Sequence, residues 1–110
     1  MLVIVLSYLG FVKHNKARLK EGKRDESTGM LLNFFEQLEG KVKGMKGYVI
    51  LDNAKDSQET AVLTFWESKQ DMDAFYQPNN KALSDFVEES KSLMELPPQR
   101  TDYAIVKYKM

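Results

Sequence analysis

ETAVLTFWESKQDMDAFY, residues 59–76, places a strand, a helix start and the only tryptophan of the chain side by side. Glu59 to Trp66 carries Val62, Leu63, Phe65 and Trp66, a β-branched and aromatic content that suits a strand. Ser68 then offers a side-chain oxygen for an N-cap. Met72, Phe75 and Tyr76 fall on one side of a short helix running through Tyr76. Immediately upstream, Gly47 to Asp52 is centred on Tyr48, Val49, Ile50 and Leu51, and polar Asn53 to Gln58 separates it from Glu59. Two strands with so short a connection predict an antiparallel hairpin.

Further upstream, Leu31, Phe35, Leu38 and Val42 recur at helical intervals, and Leu32 and Phe34 widen the stripe. The pattern predicts an amphipathic helix of roughly four turns. Asp25, Ser27 and Thr28 are its N-cap candidates, and Gly44 is the candidate left-handed residue after its end. Downstream, Pro78, Asn79 and Asn80 interrupt the second helix. It resumes from Lys81 to Met94 on Leu83, Phe86, Val87, Ser90 and Met94, and Leu96-Pro97-Pro98 is expected to end it. Tyr103 to Tyr108 reads as the last strand. Leu2 to Leu9, an apolar run, reads as the first, and Lys13 to Asp25 as a long polar loop or frayed helix start.

The order is β-α-β-β-α-β with a broken second helix, the split pattern of ferredoxin-like α+β domains. It predicts a four-stranded antiparallel sheet with helices on one face. One domain accounts for residues 1–110. The other face of the sheet would then carry apolar side chains that nothing in the chain covers. A second copy packed face to face would cover them, so a homodimer joined through its sheet faces is expected.

Bulk properties narrow the function. Hydrophobic residues make up 43% and charged residues 29%, as in ordinary globular proteins, and the formal net charge is zero. That balance argues against nucleic acid or a membrane surface as partner. No cysteine is present, which excludes disulfides, thiolate nucleophiles and thiolate metal sites. Met1 to Leu9 lacks a basic leader region and is too short to cross a bilayer, so neither a signal peptide nor a membrane span is expected, and a cytoplasmic location is.

Several stretches resemble the antibiotic biosynthesis monooxygenase family of the dimeric α/β barrel superfamily. Gly44-Met45-Lys46-Gly47-Tyr48 is similar to the Pro-Gly-Phe-x-Gly turn that leads into that family's second strand, with Lys43 where proline often stands. Leu63-Thr64-Phe65-Trp66-Glu67-Ser68-Lys69-Gln70 looks like its strand, Trp, Glu-Ser, helix signature. Asp73-Ala74-Phe75-Tyr76 followed by Phe86 is similar to the helical stretch after it. The resemblance implies a dimeric barrel and several activities: oxidation of aromatic polyketides or quinols without metal or flavin, or binding and degradation of haem. The haem-degrading branch uses an asparagine on the first strand, then a tryptophan and a histidine on the helices. The matching positions look like Ser7, Phe75 and Asp85, and none retains the residue.

The site candidates each carry a structural reading beside the functional one. Trp66 either stacks on a flat ligand or fills the core. Phe34, Phe35, Phe75, Tyr76 and Phe86 either line an apolar cavity for a polycyclic or quinone-like aromatic molecule or form plain core. Tyr76 and Trp66 are the catalytic candidates, because a phenol can orient a substrate oxygen or donate a proton. Ser7, Phe35, Phe75, Phe86 and His14 are the candidates for ligand contact. His14, the only histidine, is otherwise a solvated loop residue. Lys13 to Arg24 holds six basic residues and one acidic one, either a solvated loop or an anion-attracting rim. No resident cofactor or metal is expected. Haem held through His14 or Tyr76, and a non-catalytic dimeric module, are the alternatives to a cofactor-independent oxygenase.

Overall fold

The computed structural model describes residues 8 to 109. Four strands and three helices follow in the order β1 (Phe11–Leu19), α1 (Arg24–Leu38), β2 (Met45–Asp52), β3 (Glu59–Trp66), α2 (Lys69–Phe75), α3 (Lys81–Ser90) and β4 (Met94–Ala104), with one 3₁₀ turn, Lys91–Leu93, before the last strand. All pairings are antiparallel and the sheet order is β2-β3-β1-β4. The expected α+β architecture, with helices on one face of a four-stranded sheet, is what forms.

β3 explains which face the helices choose. Its even residues Thr60, Val62, Thr64 and Trp66 are all buried while the odd ones are not, a period of two that marks a half-covered strand. Cross-strand partners extend this face to Tyr48 and Ile50 on β2 and to Asn15 and Ala17 on β1. Two apolar clusters close over it. Trp66, Met72, Phe75 and Leu83 form one; Leu31, Phe35 and Val62 form the other, with Phe34 packed against both. The opposite face brings together Val12, Val49, Leu51, Leu63, Phe65 and Tyr103, and among the described residues no helix packs on it.

The first strand is the main correction. Leu2 to Ser7 lies outside the described residues, and Tyr8 and Leu9 are not in a strand. Instead β1 occupies most of the segment expected to be a polar loop, and it is a central strand. Its charges do not bar it from the sheet, because they are paired. Lys13 meets Asp102 directly across the strand at 2.9 Å, Lys16 meets Glu59 at 3.0 Å, and Arg18 bridges Asp56 at 2.9 Å and Glu95 at 3.3 Å. The basic segment is therefore largely neutralised. Hydropathy reads side chains one at a time and cannot see partners that arrive from three other elements.

Other boundaries move for local reasons. α1 starts at Arg24, so Asp25, Ser27 and Thr28 lie inside it, and Lys23 is its N-cap residue without a side-chain cap. The helix ends at Leu38, four residues short of Val42, and Gly40 (φ 72°) supplies the left-handed residue assigned to Gly44. α2 and α3 are capped as helices should be: Ser68 accepts from the Asp71 amide and Asn80 from the Leu83 amide. The third helix stops at Ser90, and β4 begins at Met94 rather than Tyr103. Pro97 and Pro98 do not terminate a helix; they sit in β4, where an edge strand tolerates missing donors and where the pairing with β1 is irregular.

Gly44 has a separate role. Its φ is 79°, its carbonyl accepts from the Glu67 amide at 2.8 Å, and a Cβ there would run into the Asp71 side chain. Alanine at Gly40 meets nothing and should cost about 1 kcal/mol for the left-handed backbone alone. Gly44→Ala must also displace Asp71, so urea unfolding should show a loss of about 2–3 kcal/mol. Equal losses for the two variants would show that Asp71 yields freely.

Candidate functional site

The helix-facing side of the sheet does not pack solidly against the helices. A cavity of about 80 Å³ remains between them, lined by Met30, Leu31, Phe34 and Phe35 of α1, Phe75 and Tyr76, Leu83, Phe86 and Val87 of α3, and Asn15, Ala17 and Val62 of the sheet. Most of that lining is apolar because these are the inner stripes of the helices. An engineered apolar cavity of about 150 Å³ accepts benzene, so this one suits a single ring only after the flexible Met30 and Met94 side chains shift. A polycyclic aromatic molecule, as expected from sequence, is too large for it.

At one end the lining turns polar. Tyr76 follows α2, and its hydroxyl lies 3.0 Å from Thr64 Oγ1 and 3.4 Å from Asn15 Nδ2, which also donates to the Val62 carbonyl at 3.3 Å. Thr64 in turn accepts from Trp66 Nε1 at 2.8 Å. With Thr64 donating onward, the Tyr76 oxygen receives two bonds and its own proton is free to point at a ligand. Lys13 Nζ stands 4.4 Å from the centre of the Tyr76 ring and the Arg100 guanidinium carbon 5.1 Å. Burial is the main influence on the Tyr76 phenol and raises its pKa above the ordinary tyrosine value; the bonds from Thr64 and Asn15 and the charge of Arg100 pull the other way. The group is thus a neutral donor near neutral pH rather than a base.

The expected site residues separate cleanly. Tyr76, Phe35, Phe75 and Phe86 all line the cavity. Trp66 does not: it is fully buried, its ring centre 6.2 Å from that of Tyr76, and it holds Thr64 rather than a ligand. His14 is on the opposite face of the sheet, since it neighbours Leu63 and Thr101 while the adjacent Asn15 faces the cavity. Ser7 lies outside the described residues. Asp85 points away and pairs with Lys81 at 2.7 Å. Sequence reasoning missed Asn15, Thr64 and Arg100. The first strand does carry an asparagine, but placing that strand at Leu2 to Leu9 hid it. Among the described residues, no three His, Asp or Glu side chains are grouped to hold a metal ion.

Solved structures share this fold. An antibiotic biosynthesis monooxygenase, provisionally so named, from Chloroflexus aurantiacus superposes with a TM-score of 0.70 at 18% identity over 92% of this chain and 97% of its own. A Nitrosomonas europaea protein with the same provisional name gives 0.77 at 16% identity, covering 92% and 94%. Another from Nitrosomonas europaea, of unknown function, gives 0.77 at 12% identity, covering 94% and 97%. No protein-family model and no curated protein matches the chain. Likeness at such identities establishes the fold and leaves the chemistry to the site.

Two measurements probe the polar end. Thr64→Val keeps the shape but strands the Trp66 N–H, so it should lower stability in urea by about 1–3 kcal/mol, more than Tyr76→Phe at about 0.5–1.5 kcal/mol. The reverse order would mean that the indole finds another partner. The raised Tyr76 pKa also fixes a sign. A phenol whose folded pKa exceeds the unfolded value near 10 contributes its full stability below that pH and loses it as pH rises through the folded value. Unfolding midpoints should therefore fall above about pH 10, and less steeply in Tyr76→Phe, which retains Tyr48; parallel slopes would contradict the burial of Tyr76.

Proposed function

We propose that this protein is a cytoplasmic homodimer that binds a single-ring phenol or quinol between sheet and helices and promotes its oxygenation without a resident cofactor. The observation that carries the reading is the hydroxyl of Tyr76, fixed by Thr64 and Asn15 at a polar end of a mainly apolar cavity. The names of the solved structures with the same fold agree with it.

In this reaction the ring supplies the electrons. A quinol and dioxygen give a hydroxylated quinone and water: one oxygen atom bonds to a ring carbon, the other leaves as water, and dioxygen is reduced by the ring itself. Among the described residues no carboxylate or imidazole lines the cavity, so the ring reacts from its own ionised form. The part of the protein is to orient the ring against Phe34, Phe35 and Phe86, to exclude water, and to offer the Tyr76 proton to the peroxide oxygen that develops. The haem alternative has less support: His14 does not reach the cavity, and Tyr76, which does, borders a space of about 80 Å³ that is far too small for a porphyrin.

The dimer rests on the uncovered sheet face. Val49, Leu51 and Tyr103 are 40%, 43% and 54% exposed there, with half-buried Leu63 and Phe65 on the same face, apolar surface of the kind that proteins bury against a partner. Sedimentation should show a dimer at micromolar concentration, and Leu63→Asp a monomer; a monomeric parent chain would remove this part of the proposal.

Oxygen consumption with a panel of single-ring quinols tests the activity. Uptake above the uncatalysed rate should fall about a hundredfold in kcat for Tyr76→Phe with KM little changed, as expected for loss of a proton donor. A panel that gives no uptake above buffer would defeat the oxygenase reading.

A further inference from the structure

The geometry points to Arg100 as an anchor for an acidic group on the ligand, so that the cavity selects rings bearing a carboxylate over neutral ones. This rests on the cavity reading above and narrows its substrate class.

The polar end of the cavity has two cations near it, and their circumstances differ. Lys13 Nζ is committed to Asp102 at 2.9 Å, and its side chain is only 11% exposed. Arg100 lines the cavity, and among the described residues it forms no ion pair. It is also the one exposed residue of the lining, which puts it at the mouth. The sheet register fixes where its side chain starts: Arg100 on β4 is directly opposite Asn15 on β1, on the helix-facing side. The Tyr76 ring lies beneath the guanidinium at 5.1 Å. Amide, phenol and guanidinium therefore converge on one end of the cavity, and beyond them the lining is apolar except for the hydroxyls of Ser27, Thr60 and Ser90.

A ligand matching this arrangement has an apolar ring for the Phe34, Phe35 and Phe86 end, an oxygen within reach of Tyr76, and an anionic group at the mouth. A carboxylate suits the site because the planar guanidinium offers it two parallel N–H donors. A neutral ligand would leave the guanidinium merely solvated and would gain nothing from it. The other cations of this part of the chain do not compete for the same role, since Lys16, Arg18, Lys23 and Arg24 are paired elsewhere.

Gentisate and its primary amide, gentisamide, separate the two possibilities, because they share the quinol ring and differ in the charged group. Calorimetric titration of the full-length protein near neutral pH should show gentisate binding roughly tenfold more tightly than the amide, a modest ratio because the anchor is partly solvated. Added salt should weaken gentisate and leave the amide unchanged. Arg100→Gln should bring gentisate down to the affinity of the amide, whose own binding stays as it was, and Arg100→Lys should restore part of the difference. Ala17→Leu, which fills the cavity from the sheet side, should block both compounds and so locate the binding. Equal, salt-independent affinities for the two compounds, indifferent to Arg100→Gln, would overturn the role of Arg100 while the cavity reading stands. Absence of binding by both, or binding that Ala17→Leu leaves intact, would overturn the cavity reading and this inference with it.

Discussion

Thr64 is fully buried, yet its hydroxyl touches two other polar side chains and no water is needed to satisfy it. It accepts the indole proton of Trp66 two residues along β3 and contacts the phenol of Tyr76 at the end of α2. A buried hydroxyl without partners would cost on the order of 1–3 kcal/mol; with them it fastens a helix to the middle of the sheet. Much of the site follows from this one atom. The Trp66 ring packs with Phe75, tilted by 43°, and with Leu83, Tyr76 is directed at Asn15, and the inner stripes of α1 and α3 are left facing a gap that none of these residues fills.

The sheet imposes the second constraint. Three helices cover one face, and among the described residues no element packs on the other. Both faces take their side chains from the same strands in strict alternation, so each residue of β1 that serves the cavity has a neighbour on the open side. Asn15 and His14 show the consequence. They are adjacent in sequence and chemically alike as hydrogen-bonding residues, but one belongs to the cavity and the other to the surface where a second copy would sit. A one-residue error in register exchanges their roles.

This is also where sequence reading reached its limit. The hairpin of β2 and β3, the two short helices and the Ser68 cap were legible, because apolar periodicity and a capping serine are local signals, whereas Asn80 read only as part of an interruption. So was the aromatic lining, since Phe35, Phe75, Tyr76 and Phe86 keep helical spacing. β1 was not. Its stability in the sheet depends on Asp102, Glu59, Asp56 and Glu95, residues 38 or more positions away along the chain, and a run of lysines and arginines gives no local sign of them. Misplacing β1 concealed Asn15, and taking Pro97 and Pro98 as a stop concealed the part of β4 before Tyr103 and with it Arg100. The polar end of the site comes from the two strands whose partners are distant, whereas its apolar walls come from helices that announce themselves.

The central claim is that ligands enter between sheet and helices and meet Tyr76 there. The most direct measurement is a heteronuclear NMR titration of the isotopically labelled protein with hydroquinone. The account predicts saturable shifts at Asn15, Val62, Tyr76, Phe86 and Arg100, with the amides of the open face unmoved. Shifts confined to the open face, around Val49, Leu63 and Tyr103, or none that saturate, would contradict it.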